Sequence, residues 1–181
     1  MEIQKKIISL EDEQREIQRR TAIEHLDILR NKTINFTFIT KIRVGVQEGD
    51  FTLRDIGTTE EELEQFWVNG CKISARECLN ILRQGTEYYD INLRYLRSDV
   101  EDGKFSLGDI ETTEEELEEL RIRCARSLAH RYLELLRLEI PEPEFYFKFL
   151  NLGVENGDFT LGDIGTTEEE LEELRHISEC V

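Results

Sequence analysis

Carboxylates are the residues of this chain with the most obvious chemical potential. Three glutamate runs, Glu60–Glu62, Glu114–Glu116 and Glu168–Glu170, each follow a pair of threonines. Paired acids can serve general acid–base catalysis, but one of them must be desolvated beside a partner. A glutamate run after Thr-Thr is instead the signature of a first helical turn, where the helix dipole favours negative charge and the side chains stay solvated. No catalytic role is expected of them.

A second constellation is acidic and lies just upstream. The stretch Asn156-Gly-Asp-Phe-Thr-Leu-Gly-Asp163 sits between two helical patterns, the layout of a calcium-binding helix–loop–helix. Such a loop needs oxygen ligands at positions 1, 3 and 5, glycine at 6 and a bidentate glutamate at 12. Phe and Leu fall on ligand positions here, and Lys104 replaces an acid in the corresponding stretch upstream. Capping and packing account for the same residues, so a degenerate calcium loop is the last-ranked binding function.

Histidine and cysteine offer little more. Of three histidines (His25, His130, His176), only His176 has a thiol at helical spacing, Cys180, and two ligands make half a zinc site. Cys71 and Cys78 are seven apart, on one helical face and outside disulfide geometry. No glycine-rich phosphate loop, nucleophile elbow or His-Glu-x-x-His pattern occurs. The expectation is a non-enzyme without cofactor or metal. Candidate partner contacts are Trp67, alone of its kind, and the acidic residues Glu168, Glu169, Glu172 and Glu173.

These residues are placed by a repeat. Gly49–Leu63, Gly103–Leu117 and Gly157–Leu171 align without gaps at a spacing of 54. Upstream, Ala75, Leu79 and Leu82-Arg83 match Ala129, Leu133 and Leu136-Arg137 at the same offset, and Ala22, Leu26 and Leu29-Arg30 at 53. A fixed period of this length denotes stacked supersecondary units. The chain therefore reads as one all-α domain over 1–181, with repeats at 22–74, 75–128 and 129–181, residues 1–21 completing an N-terminal capping helix, and about seven helices. A solenoid-like array and a compact bundle both fit.

Each unit holds a long helix, a short apolar helix and a connector. The long helix is clearest from Thr113 to Arg137: Thr113 caps, Glu116 stands three on, and Leu117, Leu120, Cys124, Leu128, Tyr132 and Leu135 form one face. Its counterpart Thr59–Arg83 contains Asn69-Gly70, where a kink or break is expected. The short helices are expected at 34–46, 87–100 and 144–154, the last entered through Pro141 and Pro143, although Phe36-Thr-Phe-Ile39 alone would suit a strand. Glycines 49, 103 and 157 supply helix stops, and Thr52, Ser106 and Thr160, each three before an aspartate, predict a capped single turn. Leu10, standing 16 before Leu26 as Leu63 stands before Leu79, predicts a partial long helix at the start; Thr167–Val181 predicts another at the end.

Composition bounds the function. The chain has 181 residues, of which 39% are hydrophobic and 35% charged, and its net charge is −17. The charge sums to zero over 1–21 and to −9 over 130–181. That sign excludes direct binding to nucleic-acid phosphates and disfavours anionic membranes. No run reaches the roughly 18 apolar residues of a membrane span, and the first residues lack the apolar stretch of a signal peptide, so a cytoplasmic protein is expected. The function expected first is a protein-interaction or scaffolding module with a protein partner. An acidic inhibitor that mimics nucleic acid toward a basic protein comes second.

Overall fold

The computed structural model describes residues 2–31, 34–138 and 143–179, with side chains described for 10–31, 34–138 and 143–177. Among these residues the chain is all-helical: seven α-helices, two single 3-10 turns and no strand. It divides into two compact units, Met1–Ser74 and Ala75–Val181. None of the helices is long and apolar enough to cross a membrane.

The first unit contains α1 (Glu2–Arg30), α2 (Phe36–Glu48) and the opening turns of α3 (Glu60–Gln84). Its core is Ala22, Leu26 and Leu29 of α1, Ile39 and Ile42 of α2, Phe51 and Ile56 of the connector, and Leu63 of α3. The strand alternative at Phe36–Ile39 is settled as helix. That helix starts two residues later than predicted because Asn35 caps it, its side-chain oxygen accepting from the Thr37 N–H at 3.0 Å. It stops at Gly49, in the left-handed region with φ 79°.

One expectation is corrected in this unit. α3 runs unbroken through Asn69-Gly70, whose cost in helix propensity is met by packing. A Cβ on Gly70 would lie 2.6 Å from the Phe36 ring and 2.9 Å from Ile34 Cγ2, so glycine there is the gap that admits α2. Leu10 does lie on a helix, but it is 57% exposed, whereas Leu63 is fully buried beside Leu26, Ile39 and Ile42. Matching spacing along a helix fixes a face and says nothing of what covers it.

The second unit takes the last turns of α3, then α4 (Tyr89–Glu101), α5 (Glu114–Arg137), α6 (Pro143–Glu155) and α7 (Glu168–Glu179). α5 is capped by Thr113, whose hydroxyl accepts from the Glu116 N–H at 3.2 Å, as its sequence predicts. Leu117, Leu120, Cys124, Leu128, Leu133 and Leu136 are buried along it. α5 packs against both α4 and α6, and α6 packs against α7. Single 3-10 turns at Leu107–Ile110 and Gly162–Ile164 precede α5 and α7. The first closes with a reciprocal box between Ser106 and Asp109. Phe105, Ile110, Phe159 and Ile164 project from these connectors into the core. Pro141 and Cys180 lie outside the described residues, and with Cys180 the candidate zinc pair with His176.

Candidate functional site

Arginines that pin each connector to the start of the following helix are the most regular feature of both units. Arg30 Nε donates to Glu62 at 2.8 Å and its Nη2 to the Gly57 carbonyl at 2.8 Å. Arg83 grips Glu116 at 2.9 Å and the Glu111 carbonyl at 3.3 Å. Arg137 grips Glu170 at 2.9 Å and the Gly165 carbonyl at 3.2 Å. Thr58, Thr112 and Thr166, all buried, donate their hydroxyls to the same three glutamates at 2.7, 2.9 and 2.8 Å. Glu62 and Glu170 are held below the ordinary glutamate value, Glu62 mainly by Arg30 and Glu170 mainly by Thr166 and then Arg137. At Glu116, burial pushes upward, but Thr112 and Arg83 outweigh it. The third residue of each glutamate run is therefore a structural anion.

The connector aspartates are also engaged. Asp55, Asp109 and Asp163 each accept from a backbone N–H three residues earlier (Thr52, Ser106, Thr160), at 2.8 Å in every case. These are the carboxylates a calcium loop would use, and here they close turns. Among the described residues no group of three histidine, cysteine or acidic side chains is placed to hold a metal ion.

A second arginine contact differs from the first in being incomplete. In α2, Arg43 Nη2 reaches both Glu60 at 2.6 Å and Glu64 at 2.8 Å. In α4, Arg97 pairs with Glu114 and lies 3.8 Å from Glu118. At the same register of α6 stands Asn151. No arginine of α6 therefore stands over the corresponding acids, Glu168 and Glu172, which are exposed with Glu169 and Glu173 on α7. Four of the five sequence-nominated contact residues thus share one short helix.

Trp67, the fifth, belongs to the other unit and is half-buried. Its ring meets Phe36 edge-on at 4.8 Å, and the Arg43 guanidinium stands 6.0 Å from its centroid. It packs against the core of its own unit. A cleft of about 470 Å³ between α1 and α2 is lined by Gln18, Thr21, His25, Lys41, Glu48 and Asp50. His25 stacks on Phe38 at 4.1 Å, and burial and then Lys41 push its pKa down.

Sequence reasoning passed over two arrangements. One is an aromatic cluster in which Tyr132 of α5 lies 5.6, 5.0 and 4.9 Å from Phe145, Tyr146 and Phe149 of α6; Phe145 is 56% exposed. The other joins the noted Lys104 to Asp99, buried in α4, at 2.6 Å. Positions 45 and 153, one period either side of Asp99, are glycines covered by the rings of Phe51 and Phe159. The signal for both was in the columns of the 54-residue register, read for differences rather than identities. No family model, curated protein or solved structure matches this chain.

Proposed function

We propose that this chain is a non-enzymatic protein-interaction or scaffolding module, an array of three helix-pair units that presents a different surface on each. One observation carries the reading. Contacts that build the units keep their residue types from copy to copy, as at Arg30, Arg83 and Arg137, while outward positions change. Outward on the short helices, Thr37 and Val44 become Ile91 and Ser98, then Phe145 and Leu152. Folding requires the first set and leaves the second free for partners. The unit boundary after Ser74 falls at the end of the first copy, 22–74, which fits the same reading.

Polar chemistry supports it too. The third glutamate of each run and the connector aspartates are engaged in arginine clasps and caps, and Lys104 pairs with Asp99. Affinity purification of the tagged chain from its native cell, with chemical cross-linking, tests the reading. The expected outcome is a stoichiometric protein partner whose cross-links fall on α4, α6 or α7. Recovery of the chain alone at physiological salt would sink it.

A further inference from the structure

We propose that the face formed by α6 and α7 receives an arginine from a partner protein, in the position that Arg43 and Arg97 fill from within the chain. This rests on the interaction-module reading and names its site and the partner's chemistry. Two internal examples show what the position takes. Arg43 and Arg97 each project from a short helix toward two glutamates one turn apart on the next long helix: Glu60 and Glu64, then Glu114 and Glu118. Both arginines remain partly open, at 31% and 39% exposure, so the position lies at the surface and is accessible from outside. α6 offers Asn151 instead, which is shorter and uncharged, so Glu168 and Glu172 keep the spacing of their counterparts with no arginine from the short helix; the arginine of this face, Arg175, comes from α7 and lies over the Phe147 ring at 5.2 Å.

The surroundings favour the same class of partner. Glu144, Lys148, Asn151 and Glu155 occupy one row of α6, four and three residues apart. The corresponding row of α2 is Phe36, Thr40, Arg43 and Gln47, and that of α4 is Asp90, Arg94, Arg97 and Glu101. Formal charge along the row falls from +1 to 0 to −1, while the facing glutamates stay constant. The α6–α7 face is therefore the most negative of the three. Arginine fits better than lysine because its planar fork bridges two carboxylates at once, as Arg43 does. The occupant is a basic, arginine-bearing segment of another protein; the sign of the charge repels nucleic acid and anionic lipid.

The test uses the full chain and a fluorescent 13-residue helical peptide carrying four arginines, with its lysine and citrulline counterparts. Anisotropy at low and at physiological salt should show the arginine peptide binding, the lysine peptide weaker and the citrulline peptide not at all. Asn151→Arg rebuilds the internal pair and should weaken the arginine peptide about tenfold or more, as should Glu168→Gln with Glu172→Gln. Glu115→Gln with Glu119→Gln removes equal charge from exposed α5 positions and should change affinity less than twofold. Asn151→Arg keeps the test valid even if the glutamine variant loses its fold by circular dichroism. No binding to the wild type, equal binding of the citrulline peptide, or unchanged affinity in Asn151→Arg would each overturn the proposal. A native partner captured equally by Asn151→Arg would leave the interaction module standing and remove this site. The converse, peptide effects as expected with no cellular partner, would leave the site and remove the broader reading.

Discussion

Asp99 has one carboxylate oxygen on Lys104 and the other, Oδ2, buried without a partner. An ionised carboxylate in that position depends on its lysine. Lys104→Ala should cost about 3 kcal/mol in urea denaturation, because it strands a buried charge. Adding Asp99→Gly should recover most of the loss, since glycine at that register accepts a ring from the connector, as Gly45 and Gly153 do. Glycine carries the opposite consequence at position 70. Alanine there gains helix propensity of about 1 kcal/mol, yet its methyl would drive into Phe36 and Ile34. Gly70→Ala should therefore destabilise by about 1–3 kcal/mol, read as a fall in the urea midpoint. Glu111 holds φ 60° where the equivalent residues are Gly57 and Gly165. Glu111→Gly should stabilise by about 1 kcal/mol on the same measurement.

At the scale of elements, the clasp of arginine, threonine and glutamate couples each long helix to the next connector, and it does so through ionised glutamates. Glu62, Glu116 and Glu170 have folded-state pKa values below the ordinary 4.5. Their contribution to stability is present above pH 4.5 and is lost as pH falls through the depressed values, because the unfolded chain then binds protons the folded one resists. Urea midpoints should fall below pH 4.5, and the fall should be shallower in Glu62→Gln. The helices themselves were legible in the sequence. Their caps are local, and Thr113, Asn35 and the glycine stops act within a few residues. The clasps were not legible, because their partners lie about 30 residues apart and spacing along one helix carries no information about a second. Gly70 was misread for that reason: propensity is local, whereas the ring that fills the gap comes from α2. Much of the candidate face was legible as an excess of acid on α7; its significance was not, because it depends on an arginine that is absent from α6.

Across the whole molecule, packing links elements that are close in sequence: α1 with α2, α4 with α5, α5 with α6, and α6 with α7. Such short loops close at small entropic cost, so stopped-flow refolding at neutral pH should be complete within about a few milliseconds. A slow phase of seconds carrying most of the amplitude would contradict this. The net charge of −17 works at the same scale, since a charge of that size sets up a field that attracts cations and repels anions. Screening by salt should therefore slow capture of a basic partner more than it loosens the complex once formed.

The pairing of Asp99 with Lys104 also limits how the gene can be rearranged. Tandem copies invite unequal recombination, and most breakpoints would join compatible halves, since the clasps and caps are shared. A breakpoint between codons 99 and 104 would join Asp99 to the aspartate that stands at 50 or 158 in place of its lysine, or would bring Lys104 to a glycine, without its buried partner. Asp99 and Lys104 are thus a pair that such a crossover would separate, as one between codons 36 and 70 would separate Phe36 from Gly70.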